Sequence, residues 1–281
     1  MDRGHGFTLI EMVSVIVITG ILAAVVGMNI SRPIQGFLDT ARRAELVDKA
    51  ETALNRMTRE IRLALPNSIR ISGSTLEILR TLSGGRYRAR LDPGGGSDAL
   101  DFTSNADSFD VLGSMPNLLS IVAGAGGRAD CLNGIADCLV VFNTGQPGAD
   151  AYLGDNIAGI SLVNKGPPVV QLSFDNSDVP GWHFPFTSPR QRFYVVDTPV
   201  SFVCDLVTGQ ITRHAQYPIS AVQDPSPAGN SSLLVDKLSA CSFSYSPGNA
   251  TRDGLVTLAL SISDSGESVH LLQQVHIPNQ P

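Results

Sequence analysis

The chain has 281 residues, 20 Lys+Arg against 26 Asp+Glu and a formal charge of -6, and its 16% of charged residues falls well below the roughly 25% of an average soluble domain. With 43% apolar residues and a mean hydropathy of +0.11, disorder is excluded and a membrane-contacting or β-rich chain is expected. A nucleic-acid partner is disfavoured, because the cations outside residues 42–90 are scattered through an acidic background.

The first predicted element is a helix over residues 7–30, FTLIEMVSVIVITGILAAVVGMNI, which carries one charge, Glu11. Its 24 residues span about 36 Å at about 1.5 Å each, enough to cross a bilayer. A secretory signal fits poorly. Arg3 is offset by Asp2, the apolar run is too long, and the small residues Gly4 and Gly6 precede the run instead of following it. A carboxylate inside hydrocarbon costs roughly 2.5–3.5 kcal/mol, so Glu11 either meets a counter-charge or snorkels to the nearby interface. Gly20/Ala24 and Ala23/Gly27 have the small-xxx-small spacing of close-packed membrane helices. Counting positive charges leaves the orientation open, with Arg3 on one flank and Arg32, Arg42 and Arg43 on the other.

Gly6-Phe7-Thr8-Leu9-Ile10-Glu11 followed by that apolar run resembles the class III leader of type IV prepilins and type II secretion pseudopilins. The resemblance implies cleavage between Gly6 and Phe7 by prepilin peptidase and methylation of the new amine. Glu11 then becomes the fifth mature residue and pairs with the Phe7 amine of an adjoining subunit. It also implies partners: other minor pilins, the major pilin and an inner-membrane assembly platform. Asp2 departs from the basic leaders that the family prefers.

Asn29, Ser31, Pro33 and Gly36 form a weak stretch where a helix loses a hydrogen bond and is expected to bend. Helical spacing resumes, with Phe37, Ala41, Ala44, Val47, Ala50, Leu54, Met57, Ile61 and Leu65 on one face and charges opposite, until Pro66 and Asn67 end it. Residues 54–65 are expected to dock on the chain's own sheet, and the earlier turns also to touch other subunits. Beyond Asn67 the pattern is strand-like. Strands are expected at 68–72, 75–81, 86–91, 138–142, 169–174, 192–197, 200–205, 210–214 and 237–245, with a closing hairpin of 255–263 and 268–277 around Asp264-Ser265-Gly266-Glu267. Low-complexity loops are expected at 94–96, 124–127 and 224–232. The fold class is therefore α+β: a long N-terminal helix packed on an antiparallel β-sheet. Its parts are a leader at 1–6, a membrane or filament-core helix at 7–30, an amphipathic helix at 31–66 and a β-rich periplasmic domain at 67–281.

Residues 192–201 (RFYVVDTPVS) and 240–245 (ACSFSY), with the closing hairpin, resemble O-type minor pilins of mannose-sensitive haemagglutinin pili and J-type minor pseudopilins of type II secretion. That resemblance implies a small complex near the filament tip that primes assembly.

For covalent chemistry, the seven-residue separation of Cys131 and Cys138, and the position of Cys204 and Cys241 at strands, favour the pairs 131–138 and 204–241. Four cysteines nevertheless allow three connectivities. Bridges require an oxidising compartment, which places the chain after the membrane helix in a periplasm-like space. No C-x-x-C suggests zinc, and no G-x-S-x-G, H-E-x-x-H or P-loop suggests an enzyme, so neither cofactor, metal nor catalysis is expected. Residues 92–101 (DPGGGSDALD) cluster oxygens but lack the calcium-loop order and a closing Glu. His270 and His276 share a strand face, and residues 182–186 (WHFPF) are expected to be buried under a loop. The alternative function is a membrane-anchored adhesin or carbohydrate-binding module whose helix is only an anchor.

Overall fold

The computed structural model describes residues 6–91, 93–95, 98–164, 166, 169–248 and 252–278, apart from the side chains of 28–33. Residues 1–5 and Asp92 of the oxygen-rich loop therefore lie outside the described residues.

One helix, α1 (Leu9–Ile61), runs 53 residues, about 80 Å at 1.5 Å per residue. The weak stretch at 29–36 does not interrupt it, because helix already formed on both sides propagates across one missing donor. The described side chains of residues 9–27 and 34–41 are all exposed. Burial begins at Leu46 and continues through Ala50, Ala53, Leu54, Met57 and Ile61. The expected stripe is thus corrected at its start: Phe37, Ala41 and Ala44 face outward and Leu46, not Val47, leads the docked face. The helix also stops before Pro66. Thr81 N–H bonds Leu63 O at 2.7 Å and Leu65 N–H bonds Leu79 O at 2.8 Å, so residues after Arg62 serve as a short edge for the sheet.

The strands are β1 (Arg70–Ser72), β2 (Thr75–Tyr87), β3 (Ala106–Leu112), β4 (Cys138–Val141), β5 (Ile157–Asn164), β6 (Gln171–Asp175), β7 (Arg192–Asp205), β8 (Gln210–Ala215), β9 (Asn230–Val235), β10 (Leu238–Ser246), β11 (Gly254–Asp264) and β12 (Glu267–Ile277). A short helix, α2 (Gly127–Leu132), precedes β4. Nine strands pair in the order β1-β2-β3-β6-β5-β4-β7-β8-β9, three more in the order β10-β11-β12, and the named pairings are antiparallel.

Because β2 pairs with β7 as well as β3, six strands close into a barrel. Its interior is filled by Tyr87, Phe109, Phe174, Phe184, Phe193 and the aliphatic side chains alternating with them. Trp182 and Phe184 join that cluster with ring centroids 4.9 Å apart, while Phe186 remains half exposed. A second core lies among α1, the β1-β2-β7-β8-β9 portion and the inner face of β10-β11-β12. The β11–β12 hairpin turns at Ser265 and Gly266, φ 50° and 89°, a left-handed pair that its Ser-Gly sequence accommodates.

Several expected elements are corrected. Residues 86–91 are no separate strand, since β2 continues to Tyr87, and 192–205 is one strand instead of two. Pro199 is tolerated because the β2–β7 register shifts beside it, between Leu79 and Thr81, where no ladder donor is required. Strands β3 and β9 and helix α2 occupy Asp-, Ser- and Gly-rich segments read as loops or not assigned.

Cys131 is bonded to Cys138 and Cys204 to Cys241, with Cα atoms 5.0 and 6.6 Å apart. The second bridge joins the two sheets. Replacing both Cys204 and Cys241 by serine is expected to lower unfolding free energy by about 2–4 kcal/mol, because the 37-residue separation closes a sizeable loop in the unfolded chain. Urea titration in detergent measures it.

Candidate functional site

Two places concentrate functional chemistry: the free end of α1, and a cleft at the irregular part of the β2–β7 ladder.

At the free end, Gly6 and Phe7 precede the helix, Thr8 has an extended backbone and Leu9 begins the helix. Phe7 is 80% exposed and no atom approaches where a Cβ on Gly6 would sit, so the Gly6–Phe7 bond stands accessible. Glu11 lies in the first helical turn, and the Thr8 N–H approaches its Oε2 at 3.5 Å. This is the geometry of a capping box, in which a glutamate satisfies one orphan donor and complements the positive end of the helix dipole. Leu9–Gly27 has a mean hydropathy of 2.6 and none of it is buried against the rest of the chain. An apolar helix of that length, unshielded by its own domain, requires lipid or other helices around it. The charged face farther along is tied down instead. Arg43 reaches Glu267 at the hairpin tip at 2.7 Å, and Glu60 accepts from Arg213 at 2.7 Å.

With that geometry in place, residues 1–27 match the prokaryotic N-terminal methylation motif. The match supports a type IV pilin-like protein. A leader of this type implies processing by prepilin peptidase and association with a membrane. The matched segment is 27 of 281 residues, and no curated protein and no solved structure matches the chain. The β-rich domain of this pilin-like chain is therefore characterised by its own geometry.

The cleft is the site that sequence reasoning missed. The register shift leaves Arg80 without a Cα partner on β7 and Asp197 without one on β2, and their side chains pair at the irregularity. Arg80 Nε donates to Asp197 Oδ1 at 3.1 Å and its Nη2 donates to Oδ2. Across a cleft of about 450 Å³ stands the loop closed by Cys131–Cys138, which contributes Asn133, Ile135 and Asp137. Asp137 is 6% exposed, and its carboxylate accepts the Val122 N–H at 2.8 Å. Burial pushes its pKa up to about 6, with the Asp197 charge adding to the rise and the Val122 hydrogen bond and Arg80 opposing it. Arg80 and Asp197 are 117 positions apart, and no local motif announces their meeting.

The raised pKa has a stability consequence. The native state holds the Asp137 proton more tightly than the unfolded chain does, so stability falls as pH rises from about 4 to about 6 and then levels off. Asp137→Asn is expected to remove this component. Urea unfolding at several pH values would show the wild-type and variant curves converging at acid pH and separating, with the variant favoured, above pH 6.

A second polar cluster is structural in form. Glu77, 1% exposed, pairs with Arg70 at 2.8 Å, and burial raises its pKa against the pull of that guanidinium. Arg70 lies 3.6 Å from the Tyr152 ring centroid and donates to Ser220 O and Ala221 O, pinning the loop after β8. In the oxygen-rich loop, Asp98 accepts from Ser108 and Gln171 and Asp101 accepts from Thr103, so these carboxylates are engaged within the chain. Among the described residues no group of three or more His, Cys, Asp or Glu is arranged for a metal ion. His270 and His276 both lie on the exposed face of β12, and His270 Nδ1 is 2.6 Å from Ser261 Oγ.

Proposed function

We propose that this chain is a minor pilin or minor pseudopilin, a structural subunit without catalysis of its own that joins or primes a type IV pilus or type II secretion pseudopilus near its tip. The observation that carries the reading is the free N-terminal part of α1: an exposed apolar segment preceded by Gly6-Phe7 and interrupted only by Glu11. In the membrane the segment stores the subunit; in a filament the same surface packs against the helices of other subunits.

Trimming after Gly6 would create a positive amine at Phe7. In hydrocarbon that amine and the Glu11 carboxylate each gain most by finding an opposite charge. A neighbouring subunit displaced along the filament axis supplies it, and this pairing favours assembly over storage. The resemblance of residues 192–201 and 240–245 to O-type and J-type minor subunits supports the tip position. The two disulfides support a periplasmic domain, since such bridges persist in oxidising compartments.

The test is the mature N-terminus. Sequencing and mass analysis of protein purified from a host with prepilin peptidase should give a chain beginning at methylated Phe7. Persistence of Met1, or removal of the entire apolar run, would refute the reading.

A further inference from the structure

We propose that the cleft between the Arg80–Asp197 pair and the Cys131–Cys138 loop is a docking site for a lysine or arginine side chain presented by an apolar segment of a partner protein.

The argument begins with charge. The cleft wall carries two carboxylates and one guanidinium, and that guanidinium is committed by two-point pairing to Asp197. Glu60 on α1, itself paired with Arg213, also acts on the Arg80 charge. Asp137 accepts the Val122 backbone N–H, and the one cation acting on it, Arg80, is already paired with Asp197. A buried carboxylate in that position is under-compensated, and an incoming cation restores the balance. Asn133 adds a neutral amide on the same wall, whereas Gln216 Oε1 and Thr198 Oγ1 already accept from the Asn230 amide and the Gln216 N–H.

The apolar surface specifies the rest. Val122 and Ile135 line the cleft at 52% and 63% exposure, and Leu119, next to the lining residue Ser120, is 84% exposed. Apolar groups at the mouth and a carboxylate on the wall match a long aliphatic stem ending in a cation, with apolar neighbours covering the rim. None of the described lining residues is aromatic, which disfavours both a quaternary ammonium and a saccharide stacked on a ring. The wall is held ready, because Asn133, Ile135 and Asp137 all lie inside the loop that the disulfide closes.

The recognition carries a pH signature. The groups facing Asp137 are Arg80 on β2 and Asp197 on β7, with Glu60 acting through Arg80. The ionised fraction of Asp137 rises from roughly a tenth at pH 5 to roughly nine-tenths at pH 7, while a lysine side chain stays charged throughout. Binding should therefore tighten about tenfold over that interval.

Full-length protein in detergent micelles is titrated calorimetrically with N-acetyl-Leu-Lys-Leu-amide, its norleucine counterpart and methyl glucoside. The lysine peptide is expected to bind at least about tenfold more tightly than the norleucine peptide and to show the pH dependence. Asp137→Asn should abolish both the preference and the pH dependence. Ile135→Ser, a surface change that spares the fold, should weaken the lysine peptide severalfold. Equal binding of the two peptides, pH-independent binding, indifference to both substitutions, preferential binding of the glucoside, or no lysine-peptide binding up to about 10 mM would each overturn the proposal.

Discussion

Glu11→Leu is expected to leave the subunit inserted in the membrane and folded, yet to reduce its entry into sheared filaments at least about tenfold, a loss of about 1.4 kcal/mol or more in the assembly equilibrium. Insertion does not suffer, because removing the carboxylate relieves roughly 2.5–3.5 kcal/mol of transfer cost. Glu11→Gln separates the two roles visible at that position. A glutamine retains the side-chain oxygen that caps the Thr8 N–H but not the charge that would meet an amine. If ion pairing directs assembly, Gln fails as Leu does; if capping is the role, Gln behaves as wild type. Quantifying filament and membrane fractions of each variant decides it. Normal polymerisation of both variants would leave the helix as a plain anchor, as an adhesin would use it.

Met57→Ala and Phe37→Ala are expected to act in opposite ways although both truncate an apolar side chain on one helix. Met57 has no exposed surface and sits in the core shared by α1 and both sheets, so its truncation should cost about 2–5 kcal/mol of folding stability. Phe37 is 73% exposed, and the isolated subunit should unfold at an unchanged denaturant concentration after its truncation. Its effect should appear only on assembly, where neighbouring helices would bury the ring. Urea unfolding of the detergent-solubilised subunit, paired with filament incorporation, measures both. A stability loss from Phe37→Ala, or none from Met57→Ala, would place the boundary between the docked and free parts of the helix elsewhere.

What the sequence showed plainly were features encoded by neighbours in the chain. The apolar run with Glu11, the Gly6-Phe7 junction and the α+β class required only local composition and period. The closing hairpin was legible for the same reason, because Ser265-Gly266 accommodates the turn between two alternating runs. Strands such as β3, ADSFDVL, and β9, NSSLLV, were not, because distant neighbours stabilise their mixed sequences: β6 pairs with β3, and β8 with β9. The helix phase was read one residue off at Leu46, since several faces of a long helix carry aliphatic side chains and only the docked sheet selects among them.

The sequence by itself thus determined the apolar helix of membrane-crossing length, the Gly6-Phe7 dipeptide before it and its single acid, all set by residues within a few turns of one another. Closure of the six-strand barrel, the junction between docked and free helix, and the meeting of Arg80, Asp137 and Asp197 in one cleft were decided only in three dimensions. The physical reason is sequence separation: contacts between residues far apart in the chain depend on register and packing, which no local pattern specifies.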